Sequence, residues 1–211
     1  RLAFGFSILI FFFLLLGTIA YQQSGRLWQI TVDLYEHPMQ VSNATRDIKA
    51  DINSMHVYLK DIALDKNLTD FEIEESVSQI RALEASVYRS FNIVNEKYLG
   101  PRTDIDIAYN LFQDWKPMRD KVIKLRKMGD QPAAYMAYKT DNIAYRERMF
   151  AQIQVMIDFA AGKSIAFYES AEHERKQLLT WLRIALLLIF IVLVVISYLL
   201  YKGIRKPLVT L

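Results

Sequence analysis

Two long charge-free apolar stretches bracket this chain, and they constrain its fold more than any other feature. No charged residue occurs from Leu2 to Gly25, and none from Ile184 to Tyr201. A helix needs about 20 apolar residues to cross a hydrocarbon layer roughly 30 Å thick. The second stretch reaches that length once Trp181 and Leu182 are added. The first is too long for the ~7–15-residue apolar core of a cleaved signal peptide. Tyr21, Trp28, Trp181, Tyr198 and Tyr201 lie near the ends of the stretches, where aromatic rings anchor at a membrane–water boundary. The sequence therefore predicts two membrane helices, 1–21 and 181–201, with 22–180 between them.

Short basic flanks orient the pair. Arg1 precedes the first stretch, and Lys202, Arg205 and Lys206 follow the second, so both termini are expected in the cytoplasm. Arg175, Lys176 and Arg183 lie on the outer side, but long segments cross largely regardless of charge. The formal charge of +3 also misleads, because 22–180 holds 21 Lys/Arg against 23 Asp/Glu. Nothing there suggests a nucleic-acid partner. The chain has no cysteine, which removes disulfides, thiolate metal sites and cysteine nucleophiles, and suits an oxidising compartment. It starts without methionine and stops at Leu211, so it is expected to be a fragment lacking the output it controls.

Between the stretches, breakers are few. Asp65-Lys66-Asn67-Leu68, Gly100-Pro101 and Gly129-Asp130-Gln131-Pro132 read as turns. Thr69 with Glu72 forms a capping-box pattern. They divide the segment into helices near 22–65, 70–99, 102–128 and 132–180. Apolar residues recur at steps of three and four in each. The seams are Val41, Ile48, Ile52, Met55, Leu59 and Ile62; Ile73, Val77, Ile80, Val87, Phe91, Val94 and Tyr98; Ala108, Leu111, Trp115, Met118, Val122 and Leu125; and Ile143, Phe150, Ile153, Ile157, Ala161 and Tyr168. Strand-like alternation is absent. The expected fold is all-α: an antiparallel up-down four-helix bundle continuous with the two membrane helices. At ~1.5 Å per residue the two outer helices outrun the inner pair by roughly 20–30 Å. Two such extensions side by side bury more than one alone, so a parallel homodimer is expected.

Candidate functional residues are sparse. Pro38 interrupts the first helix, as a tolerated kink or as a flexible point for rearrangement. Thr31, Pro38 and Thr45 share one seam and weaken it. Gly162 is the place where the last helix would break, if it breaks. Arg46 and Lys49 on the first helix, and Arg81 and Arg89 on the second, are candidate anion ligands, although Asp47, Asp51 and Glu84 are alternative partners for them. His37, His56 and His173 show no metal-ligand spacing, so packing or solvated roles are expected, with no metal and no cofactor. No phosphate loop, nucleophile elbow or cysteine is present, and no catalysis is expected in this chain.

These residues also carry a resemblance. Leu34-Tyr35-Glu36-His37-Pro38 followed by Val41-Ser42-Asn43-Ala44, Met55-His56 with Lys60-Asp61, Asn95-Glu96-Lys97-Tyr98-Leu99-Gly100 and Trp115-Lys116-Pro117-Met118-Arg119-Asp120 resemble a bacterial four-helix-bundle sensory module. That module was first described in methyl-accepting chemotaxis receptors, and the resemblance covers essentially all of 22–180. Ile204-Arg205-Lys206-Pro207-Leu208-Val209-Thr210-Leu211 resembles the start of a HAMP linker, placing Pro207 in signal transmission.

The resemblance implies a dimeric receptor in the bacterial inner membrane, in contact with lipid through its two spans, with 22–180 periplasmic or extracellular. It would relay a small-molecule or periplasmic-protein stimulus through the second span to a HAMP linker at 202–211. Among outputs, a histidine kinase is expected first, then a diguanylate cyclase or a chemoreceptor tip. Nitrate sensors of similar architecture read their anion with first-helix arginines, which singles out Arg46. The Tyr35–Pro38 element departs from aspartate-type chemoreceptors, so their ligand contacts are not carried over. A membrane adaptor whose bundle binds a protein is the rival reading.

Overall fold

The computed structural model describes residues 2–208. Arg1 and residues 209–211 lie outside the described residues, as do the side chains of 2–6, 8, 9, 141, 199, 200 and 203–208, Pro207 among them. The described chain is helical apart from its turns and contains no strand, as an all-α fold requires. The elements are α1 (Leu2–Leu34), a π-turn (Tyr35–Met39), α2 (Gln40–Leu64), α3 (Asp70–Lys97), α4 (Arg102–Lys127), α5 (Gln131–Ala137), a second π-turn (Tyr138–Asn142) and α6 (Ile143–Leu208). Both π-turns keep helical backbone at their ends, so these elements make four helical runs.

Local chemistry explains where the runs stop. After α2, the Asn67 amide donates to Asp65 Oδ1 at 2.8 Å. A complete capping box then starts α3: Glu72 N–H donates to Thr69 Oγ1, and Thr69 N–H donates to Glu72 Oε2. Such reciprocal bonds satisfy amides that a helix start leaves open. Helix α4 closes in a Schellman arrangement, with Gly129 N–H to Arg126 O and Asp130 N–H to Leu125 O. That closure needs a left-handed residue, which glycine adopts without a steric penalty. Gly129 is the residue there with positive φ. Asp130 caps the next run by accepting from Ala133 N–H at 3.0 Å.

Pro38 is buried within the first π-turn. In an α-helix its ring would press on the carbonyl four residues back. Widening one turn relieves that clash without ending the helix, and π-turns of this kind recur at functional positions. The turn is tied to the rest of the bundle by His37 Nδ1, which lies 3.2 Å from the Lys97 carbonyl oxygen.

The chain divides into two units, a bundle over Asp33–Ile165 and a second formed by the terminal segments. In the bundle, the seams read for α2 and α3 are buried from Val41 to Val94, while Tyr98 stays half-buried. Two seams need correction. On α4 the buried positions are Ile105, Ala108, Phe112, Trp115, Arg119 and Val122, so Phe112 and Arg119 replace Leu111 and Met118 on the core side. In the last run they are Ala134, Ala137, Tyr138, Asn142, Tyr145, Met149, Ile153, Met156 and Ala160. Ile143, Ala161 and Tyr168 are exposed instead. The second π-turn shifts the helical phase, and the polar Asn142 within it masks the true stripe. Near the end of the bundle unit, α6 passes Gly162 without a break. One described helix, running Gln131–Tyr198, is long and apolar enough to cross a membrane, and none of its apolar window is buried within the chain.

Candidate functional site

Arg119 is the residue around which the site is built. It occupies a core position at the 3–4 spacing of Phe112, Trp115 and Val122, and only 1% of it is exposed. A buried guanidinium requires an anion. Glu84 of α3 supplies one, with Arg119 Nη2 donating to its Oε1 at 3.0 Å. Burial lowers the Arg119 pKa, and the Glu84 carboxylate offsets part of that effect; an arginine stays charged regardless. The guanidinium carbon lies 4.6 Å from the Trp115 ring centre and 5.4 Å from that of Phe112. Both distances suit a cation–π arrangement. Arg119 Nη1 also approaches Met55 Sδ at 3.7 Å, while Nε has no acceptor among the described residues.

A cleft of about 470 Å³ opens beside this pair, between α3 and α4. Its apolar lining is Val77, Ile80, Ile123 and Met128, and its charged lining is Arg81, Glu84, Lys116, Arg119, Asp120, Lys124 and Lys127. Five cations therefore face two carboxylates. Lys116 lies 3.6 Å from Glu84 and 3.4 Å from Asp120, and Lys127 pairs with Glu74 beyond the lining.

A buried polar chain continues inward from the cleft. Trp115 Nε1 donates to Asn142 Oδ1 at 2.8 Å, and Asn142 Nδ2 donates to the Ala137 carbonyl at 3.2 Å. These two bonds explain the second π-turn. They turn a polar side chain into the core and engage the carbonyl five residues back, which a π-type turn offers. From the same turn, the Tyr138 hydroxyl shares a 2.8 Å hydrogen bond with His56 Nε2. The turn thus links α2, α4 and the start of α6.

His56 is held neutral there. Burial, with Arg146 and Lys60 adding to it, lowers its pKa to about 4. In an unfolded chain it would titrate near 6.5. As pH falls from about 6.5 to about 4, the unfolded chain takes up a proton that the folded chain refuses. His56 therefore makes the fold progressively less stable over that window and costs nothing above it. Replacing it in His56→Gln, which keeps an acceptor for Tyr138, is expected to flatten the fall in unfolding midpoint between about pH 6.5 and pH 5. Equal slopes for the two proteins would contradict the assignment.

Of the cations singled out in the sequence, Arg81 lines the cleft with Arg119. Arg89 is exposed on α3 outside the lining, and Arg46 is exposed on α2. Lys49 instead donates to Gln154 Oε1 at 3.0 Å, with its amine 5.6 Å from the Phe150 ring centre. The four are not gathered at one place. Sequence reasoning missed Arg119, whose only signal was its spacing from Trp115 and Val122. No group of three metal-type ligands occurs among the described residues. His37 meets a backbone carbonyl, and His173 meets Gln177 Nε2 at 2.9 Å.

Comparison with known proteins bears on this arrangement. Residues 1–174 match the model of the four-helix-bundle sensory module for signal transduction. No curated protein and no solved structure matches the chain significantly. The match runs through most of the chain, including every residue of the cleft and the polar network, and the chain belongs to the family of four-helix-bundle sensory modules for signal transduction.

Proposed function

We propose that this sensory module is the extracytoplasmic part of a bacterial inner-membrane receptor, anchored by membrane helices at 1–21 and 181–201. It works as a parallel homodimer with an up-down bundle. The second span passes the stimulus to a HAMP linker beginning at 202–211 and onward to a cytoplasmic output. A histidine kinase is the first choice for that output, with a diguanylate cyclase or chemoreceptor tip as alternatives. The chain itself senses and transmits and performs no catalysis.

One observation carries this reading. Helix α6 is a single element from Ile143 to Leu208. Its early turns supply the buried Tyr145, Met149, Ile153 and Met156, and its later turns include the charge-free 184–201. A helix packed in a core at one end and apolar all round at the other suits a conduit into a membrane. A stimulus acts by favouring one of two bundle packings, and the choice reaches the cytoplasm as sliding, rotation or scissoring of α6. The parent chain has no cysteine, so single cysteines along 150–180 report that motion cleanly. In membranes, crosslinks between two copies are expected, with a pattern that changes when output changes. Absence of any intermolecular crosslink removes the dimer, and an unchanged pattern in an activated variant removes the relay.

A further inference from the structure

We propose that Asn67, in the turn between α2 and α3, is an N-glycosylation site whose carboxamide takes an oligosaccharide from a polyprenyl-diphosphate carrier. The inference rests on the extracytoplasmic placement of 22–180 and adds a modification to that surface.

Asn67-Leu68-Thr69 has the N-x-T spacing that oligosaccharyltransferases accept, with no proline between. Bacterial enzymes of this class also need a carboxylate two residues before the asparagine, and Asp65 stands there. Such a motif carries weight only on an exposed turn. Lys66 and Asn67 form that turn, and Asp65, Lys66, Asn67 and Thr69 are all exposed. Asp65 Oδ1 accepts from the Asn67 backbone amide, while the Asn67 carboxamide has no hydrogen-bond partner among the described residues.

A second N-x-T, Asn43-Ala44-Thr45, is closed off by the fold. It lies inside α2, and Val41 stands where the carboxylate is needed. Thr45 is fully buried, its Oγ1 donating to the Val41 carbonyl at 2.8 Å. Reaching that hydroxyl means unpacking the core. The Thr69 hydroxyl instead donates to Glu72 Oε2 at 2.7 Å, within a capping box that faces solvent. Releasing it opens only the first turn of α3, before Ile73, the first buried residue of that helix. Fraying helix ends open at little cost.

The step balances between the chain and the carrier. Asn67 Nδ2 forms a bond to C1 of the first sugar, and the C1–O bond to the diphosphate breaks. Polyprenyl diphosphate leaves with the electron pair, and one Nδ2 proton passes to a base of the transferase. Leu64 and Phe71 flank the turn at 40% and 77% exposure, so an attached glycan covers apolar surface that the fold leaves open.

The test treats the full chain in detergent with a bacterial oligosaccharyltransferase and its polyprenyl-diphosphate-linked oligosaccharide, and reads intact and peptide masses. The chain is expected to gain the mass of the oligosaccharide less one water, on the peptide carrying Asn67. Asn67→Gln and Asp65→Ala are each expected to lose that gain. Thr69→Asp keeps a helix cap without the hydroxyl and is expected to lose it too, whereas Thr69→Ser retains it. Circular dichroism checks that the variants fold. An unmodified parent chain, a glycan on Asn43 instead, or full modification of Asn67→Gln or Thr69→Asp each overturns the proposal. Detergent opens both sides of the membrane to the enzyme, so the chain is also coexpressed with the transferase in bacterial cells. Modification there supports the site and its placement together. Modification in detergent alone removes the extracytoplasmic placement and leaves the acceptor site standing.

Discussion

Glu84→Ala is expected to destabilise the bundle by about 3–5 kcal/mol, because it strands the charge of Arg119 in the core. The Arg119 side chain is 2% exposed and that of Glu84 14%, so little water reaches the pair to replace the carboxylate. Lys116 loses a partner as well. The partial exposure of Glu84 places the expected loss toward the lower end. For a chain of this size, such a loss lowers the unfolding midpoint by on the order of 10 °C. The size of the effect reflects the cost of an unpaired charge more than the worth of the pair. Replacing both partners by uncharged residues of similar volume, Glu84→Gln with Arg119→Met, is therefore expected to return stability to within about 1–2 kcal/mol of the parent. If Glu84→Ala unfolds at the parental midpoint, Arg119 is not held as described.

Trp115→Ala is the second large loss, again about 3–5 kcal/mol, from emptying a large buried site. Trp115 is fully buried and packs against Phe112, Arg119 and Asn142. Part of that loss is packing and part is the hydrogen bond to Asn142. Trp115→Phe separates them, because it keeps an aromatic ring beneath Arg119 but leaves Asn142 Oδ1 without its donor. An acceptor so orphaned costs about 1–3 kcal/mol. Thermal unfolding is expected to rank the parent above Trp115→Phe, and Trp115→Phe above Trp115→Ala. A Trp115→Phe protein as stable as the parent would show that the bond to Asn142 does not fix the π-turn.

Much of the fold was legible because it is local. The Thr69–Glu72 box and the Gly129 closure depend on residues within a few positions of one another, and both are present as hydrogen bonds. The α2 and α3 stripes were legible because their core positions are occupied by aliphatic or aromatic residues at regular spacing. The site was harder to read. A charged residue at a core position looks like surface in a one-dimensional pattern, so Met118 stood where Arg119 is buried. What permits the burial is Glu84, 35 residues earlier in the chain. The second π-turn was hidden for the same reason, since Asn142 turns inward to a partner 27 residues away. Once that turn is missed, the stripe beyond it is read out of phase, and Ile143 is taken for Asn142. Pro38 was the opposite case, since its own ring signals the disturbance and only its form, a π-turn and not a break, required the structure.

The network from Arg119 through Trp115 to Asn142 matters only if α6 moves with it. The most direct measurement of the proposed relay compares the crosslinking of single cysteines from 150 to 180 in the full protein expressed in membranes, with and without Asn142→Leu. That substitution removes the Trp115 acceptor and the bond to the Ala137 carbonyl, and so is expected to reset the π-turn. The account predicts that the positions crosslinking fastest shift together along the whole stretch, keeping a helical period of about 3.6 residues. A profile altered only next to Asn142 and unchanged beyond Gly162, while the output changes, would contradict it.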